Sequence, residues 1–351
     1  MRICIVTVYD SINSGSFWQA YILGAQLERM GHAVFYYARE KKGSSSSAVH
    51  IAKTVGGMIK HLRYTEIKNY LFQIAHFRKS VSKFKVINQK SPIYREINCF
   101  ILGSDTIWNV DDQYFKNTKS VFWGDVFDRS IVSYAGSIGN TRMSVITENP
   151  DYAKSVNRWK AISVRDKYTY KVLSSITDKE IKLVCDPTLL FSEKEYRSLC
   201  KEREGRYIFL YLFEPLSIEQ NRALRKFADG NDLKIICGIK KKSITEADEY
   251  IVNNPDSFVK HMLGASYVIT DTYHGTVFSV NFSKQFIVPD RGKNKVNEFL
   301  DSVGLQERLI KQNEDIIDKL VNQIDYLPIM NKVEEMRNES IQFLESSLHC
   351  I

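Results

Sequence analysis

The sequence predicts an α/β protein made of two Rossmann-like, doubly wound domains and closed by a C-terminal helix. Three observations predict it. The chain has 351 residues, too long for one ordinary core and suited to two. Short apolar runs alternate with helix-like stretches almost throughout, the βαβ pattern of a parallel sheet. The pattern then starts afresh near residue 205, after Pro187 and a polar turn.

Taken in order, "ICIVTV" reads as the first strand. "GSFWQAYILGAQLERMG" follows as a helix, with Trp18, Tyr21, Ile22, Ala25 and Leu27 near one face and Gly31 as its stop. "AVFYY" is the second strand and "GSSSS" (43–47) a flexible loop. Two helices are expected at roughly 49–61 and 64–86. Strands follow at "CFILG" (99–103), "SIVSYAG" (130–136), "AISVRD" (161–166) and "IKLVCD" (181–186), with helices between the last three. The second set runs "RYIFLYLF", a helix at 217–229, "LKIICGI", a helix near 256–264, "YVITD", a helix from His274, and "QFIVP". Helices near 295–303 and 313–324 complete it, and 329–348 reads as one long terminal helix.

The expected domains are 1–190, 191–328 and a terminal helix in 329–351. Doubly wound sheets bind ligands at their strand ends, so two of them facing across a cleft suggest a GT-B-like layout.

Composition narrows the class. Apolar residues make up 44% and charged residues 26%, as in a globular protein. "ICIVTV" is too short for a signal-peptide core, and no apolar run reaches the eighteen or so residues of a membrane span, so a cytoplasmic location is expected. Cys4, Cys99, Cys185 and Cys237 lie in or beside apolar runs without CxxC spacing, and the histidines are scattered. These cysteines read as small buried hydrophobes, and no metal is expected. The net charge of +8 has a local origin. Residues 49–90 hold nine Lys or Arg and the single acid Glu66; of 49 basic and 41 acidic residues in the chain, 40 of each remain elsewhere.

Candidate functional residues gather where strands end. "VITDTYHGTVFSVNF" (268–282) runs a strand into a helix, placing His274 near the helix N-terminus, where unpaired N–H groups and the dipole favour an anion. Gly275 beside it would let a ligand approach the backbone. His274 could equally be a structural histidine bonded to a carbonyl. "GSDTIWN" (103–109) ends a strand in Asp105, which either accepts a proton or caps the next turn. Trp108 could pack in the core or offer a sugar platform. "ISVRD" puts Arg165 at a strand end, to grip a carboxylate or phosphate or to pair with Asp166 or Asp186. "NSGSFWQA" is a loop suited to phosphate or sugar contacts, and it lacks GxGxxG.

"GSDTIWN", "SYAGSIG", "SVRD", "DPTLL" and "VITDTYHGTVFSVNF", in that order, resemble the polysaccharide pyruvyltransferases, as does the opening "NSGSFWQAYILGAQLERMGH". The likeness runs from the first strand to about Leu305. It implies a transferase that moves the pyruvyl group of phosphoenolpyruvate onto a sugar of a cell-surface polysaccharide or its lipid-linked precursor. The product would be a pyruvate ketal, with phosphate released. It also implies the two-domain glycosyltransferase-like fold, with the acceptor on the N-terminal side and the donor on the C-terminal side. No cofactor beyond phosphoenolpyruvate as co-substrate is expected.

By this resemblance Arg165, His274, Gly275 and Lys295 are donor-binding candidates, with Arg291 and Lys293 able to replace Lys295. His274 is assigned to phosphate contact and acid catalysis and Asp105 to the base role. Asn13, Gly15, Asp105, Trp108 and Asn109 are the candidate acceptor contacts. The basic segment, interleaved with Tyr64, Tyr70, Phe72, Phe77 and Phe84, could rest on the inner membrane face or be a solvated face over a packed stripe. No nucleic-acid motif accompanies it, so nucleic acid is not an expected partner. Two competitors remain at this level. One is a nucleotide-sugar glycosyltransferase, for which Glu246, Asp248 or Glu249 would supply the ribose-binding acid; the other is a non-catalytic binding relative.

Overall fold

The computed structural model describes all residues other than 39–47, 61–63, 113–114, 116–118, 240–246, 312–313 and 350. The "GSSSS" loop, Arg63 and Glu246 therefore lie outside the described residues. The chain groups into two compact units, Met1–Leu190 with Met336–Ile351 and Phe191–Glu335.

The first unit is built on β1 (Arg2–Val6), β2 (Ala33–Tyr37), β3 (Val86–Ile87), β4 (Cys99–Leu102) and β5 (Ser130–Ser133), all parallel, in the order β3-β2-β1-β4-β5. A parallel pair, β6 (Ile162–Val164) and β7 (Ile181–Leu183), continues it through bridges from Val132 to Ala161 and from Gly136 to Val164. Strands buried on both faces need unbroken apolar runs, and "CFIL" of β4 is buried throughout. The second unit repeats the plan. β8 (Tyr207–Tyr211), β9 (Lys234–Cys237), β10 (Glu249–Tyr250), β11 (Tyr267–Thr270), β12 (Gln285–Pro289) and β13 (Leu309–Ile310) are parallel in the order β10-β9-β8-β11-β12-β13. In each sheet the third, second, first, fourth, fifth and sixth strands stand side by side, the dinucleotide-fold order. Connections therefore diverge between β1 and β4, and again between β8 and β11.

The expected strands are present; "AVFYY" and "QFIVP" have their full expected length, and the others are shorter at their carboxyl ends. Thr7, Gly103, Arg165 and Asp271 each fall just past a strand, in the loop that leaves it. The helix expected at 64–86 ends at Val81, because Phe84 turns inward against Tyr9, Phe17 and Tyr36, and β3 takes the residues beyond. The helix expected at 313–324 is Ile316–Val321, opened by the Asp315 cap. The joining turn contains a helix the pattern did not suggest, Glu193–Leu199, started by a Ser192/Glu195 capping box. The terminal helix runs Tyr326–His349. Past Glu335 it belongs to the first unit, where Ser340 Oγ accepts the N–H of Cys185 at 2.8 Å and Arg337 Nε donates to Leu189 O at 2.6 Å.

Cys4, Cys99, Cys185 and Cys237 are buried, and burial pushes the Cys185 thiol up to about 11 and Cys99 up to about 12. They behave as inert small hydrophobes. Among the described residues no helix is long and apolar enough to cross a membrane.

Candidate functional site

In the first unit the divergence point is a closed hydrogen-bonded corner. Its floor is Gln19 of α1 (Ser14–Arg29), fully buried, whose amide donates to Thr7 Oγ1, Val8 O and Ser16 O at 3.1, 3.0 and 2.8 Å. Thr7 Oγ1 in turn donates to Ser104 O at 2.9 Å, linking the loop after β1 to the loop after β4. Gly103 is required here: its φ is +129°, and a Cβ would stand 2.0 Å from Tyr134 O.

Asp105 sits in this corner at φ +76°, a left-handed conformation that costs an L residue on the order of 1 kcal/mol or more. Its surroundings hold it there. Its carbonyl accepts from Ser137 N at 3.1 Å, Oδ1 from Thr106 N at 2.8 Å, and Oδ2 from Ser16 Oγ at 2.7 Å. Arg165 Nη2 lies 3.5 Å from Oδ1, while Arg165 Nη1 donates to Asp186 Oδ2 at 2.6 Å. Asp186 is anchored by the N–H and hydroxyl of Thr188 at 3.0 and 2.7 Å. The Arg165 and Asp186 side chains are 2% and 0% exposed, that of Asp105 14%. A guanidinium between two carboxylates lowers the cost of burying either. Of the four side-chain oxygens, those of Asp105 are the more open to solvent.

In the second unit the same position carries the opposite charge. Asp271, just past β11, is 1% exposed and accepts the N–H groups of Phe213 and Glu214 at 2.8 and 2.9 Å, tying the loop after β8 to its own. Thr272 caps the helix Tyr273–Asn281. His274 is half-buried with its ring edge-on to Tyr273 at 5.4 Å, and Lys295 Nζ lies 5.8 Å from the same Tyr273 ring. Lys293 Nζ donates to Asp271 O at 2.9 Å, and Arg291 donates to Pro215 O at 2.6 Å. One histidine and three cations thus gather at one sheet edge, where a helix also begins.

Several expected contacts take other roles. Trp108 is a core residue: it is 0% exposed, stacks on Trp159 at 5.2 Å and donates its indole N–H to Phe122 O at 2.8 Å, so no sugar can lie on it. Gly275 does not open the backbone to a ligand. Its N–H is taken by Thr272 Oγ1 at 3.0 Å, and a Cβ would meet Thr270 Oγ1 at 2.1 Å, so glycine serves close helix–strand packing. Arg165 makes the Asp186 pair rather than an open grip. Asn13 is the cap of α1, accepting from Gly15 N and Ser16 N at 2.9 and 3.3 Å, and Gly15 is buried in that first turn. Asn109 accepts from Thr141 Oγ1 at 3.0 Å and holds the loop after β5.

Ser16 and Gln19 were missed by sequence reasoning. Their only signal was that both are polar residues on the first two turns of a helix that is apolar through its middle. Of the acids considered for a ribose, the two within the described residues are engaged by arginines. Asp248 pairs with Arg225 at 2.9 Å, and Glu249 is held by Arg203 at 2.8 and 2.7 Å, which keeps its carboxyl below the ordinary range.

The family model for polysaccharide pyruvyl transferase matches residues 13–290. No curated protein matches the chain. Among solved structures, UDP-GlcNAc 2-epimerase from Neisseria meningitidis, bound to UDP-GlcNAc, has a TM-score of 0.54 at 10% identity, covering 100% of both chains. Another UDP-N-acetylglucosamine 2-epimerase has a TM-score of 0.56 at 8% identity, covering 99% of this chain and 95% of that one. At such identity the likeness is one of fold: an α/β GT-B-like architecture with a C-terminal helix.

Proposed function

The chain belongs to the polysaccharide pyruvyl transferase family, and on that premise we propose that it transfers the pyruvyl group of phosphoenolpyruvate to a sugar of a cell-surface polysaccharide or its lipid-linked precursor. The observation that carries the donor half is the grouping of His274, Lys293 and Lys295 around Asp271 and Tyr273 at the carboxyl edge of the second sheet. Phosphoenolpyruvate brings a carboxylate and a phosphate. Charge-assisted bonds of about 1.5–3 kcal/mol each to such groups suit a donor site of about micromolar affinity.

The reaction balances as follows. A proton goes to the methylene carbon and makes C2 electrophilic. One sugar hydroxyl adds to C2 and loses its proton to a base. Phosphate then leaves C2, and a second hydroxyl adds there, its proton passing to the released phosphate. His274 contacts the phosphate and delivers the first proton; Asp105, the more open of the two acids beside Arg165, takes the hydroxyl proton. Arg165 serves in this scheme by holding Asp105 rather than by gripping the donor.

Calorimetric titration of phosphoenolpyruvate into wild type and His274→Ala tests the donor site, with UDP- and GDP-sugars run in parallel. Binding that weakens tenfold or more in the variant, about 1.4 kcal/mol, supports the reading. Nucleotide-sugar binding without any response to phosphoenolpyruvate overturns it.

A further inference from the structure

The basic segment forms α2 (Ala48–Lys60) and α3 (Tyr64–Val81), and α3 has two unlike sides. Ile74, Phe77 and Ser80 are buried on one. On the other, Tyr64, Leu71 and Phe72 are 62%, 46% and 51% exposed. At one residue per 100° these three share a band roughly 120° wide with Lys68, Arg78 and Lys79, which are exposed as well. Glu66, the segment's one acid, falls outside that band. On α2 no residue from Ile51 to Lys60 is buried, and Ile59 is 51% exposed beside exposed Lys60. A helix face meant only for water has no need of three large apolar side chains.

We propose that this face of α3 is a docking surface for an anionic lipid bilayer. A bilayer interface offers an apolar layer and a diffuse negative layer together, which is the combination this face matches. Leu71 and Phe72 enter the headgroup region, Tyr64 keeps its hydroxyl at the wet boundary, and the lysine stems extend their charges to the phosphates. A second copy of the chain is a poor occupant, because a two-fold contact would set the same cations against one another. This surface stands apart from the transfer chemistry and does not depend on it.

The test is co-sedimentation of the whole protein with vesicles of phosphatidylcholine alone and of phosphatidylcholine mixed with phosphatidylglycerol. Binding is expected to the mixed vesicles only, and to weaken as salt is raised. Lys68→Gln with Lys79→Gln should lower the partition about fivefold per charge removed. Leu71→Ser with Phe72→Ser should abolish it while leaving the melting temperature in place, since both side chains are exposed. Equal sedimentation of wild type and both variants overturns the proposal. So does a dimer in sedimentation velocity that the Leu71→Ser, Phe72→Ser variant dissolves, or retention of wild type by an acidic protein column with none on anionic vesicles.

Discussion

The two units share a strand order and place a polar corner at the same topological point, yet the corners are opposite in charge. In the first, two carboxylates flank one guanidinium, and the geometry is tight and nearly closed. In the second, Arg291 and Lys293 meet Asp271, Lys295 lies over the Tyr273 ring that His274 also faces, and the fully buried Asp271 accepts backbone N–H groups. The difference teaches where chemistry resides in this architecture. The sheet fixes where the strand ends meet, and a few loop residues decide which charge gathers there.

The sharpest way to break the comparison is His274→Ala. Losing the proposed acid should cut phosphate release by about 10²- to 10⁴-fold in a coupled assay, and retention of full turnover would remove the second corner from the reaction. Next comes Asp186→Ala, which takes away the 2.6 Å partner of a buried guanidinium. Denaturant unfolding should show a loss of about 3–5 kcal/mol, with phosphoenolpyruvate affinity unchanged if the donor belongs to the other unit. Asp105→Asn keeps the shape and removes the base, so kcat should fall about 10²-fold while the donor Kd holds. An equal change in both quantities would mean that the first corner also binds the donor. Lys295→Ala is the mildest. A rise in the KM for phosphoenolpyruvate of about tenfold, or ~1.4 kcal/mol, is expected with little change in kcat, and no change at all would shift the role to Lys293 or Arg291.

The sheets were legible because strands buried on both faces must be short and apolar, as "CFIL" and "YIFLY" are. The edge strands β3, β10 and β13, of two residues each, have too little pattern to read. The candidate residues near strand ends were legible by position, but their contacts were less so. Whether Trp108 faces a sugar or a core depends on Trp123 and Trp159, which are distant in sequence. Gly275 gives the same signal for close ligand approach as for close packing, and only the two threonine hydroxyls beside it decide. Arg165 had two plausible partners on paper, and burial selected Asp186.

The passage of the terminal helix into the first unit has a consequence for synthesis. Residues 1–190 leave the ribosome first, yet Cys185 N–H and Leu189 O find their partners in Ser340 and Arg337, and Leu344 and Leu348 lie buried. At the usual pace of translation those groups wait roughly seven to thirty seconds while the whole second unit is made. The unit that begins first is thus finished last, and the interval leaves unpaired backbone and uncovered apolar surface for a chaperone to guard.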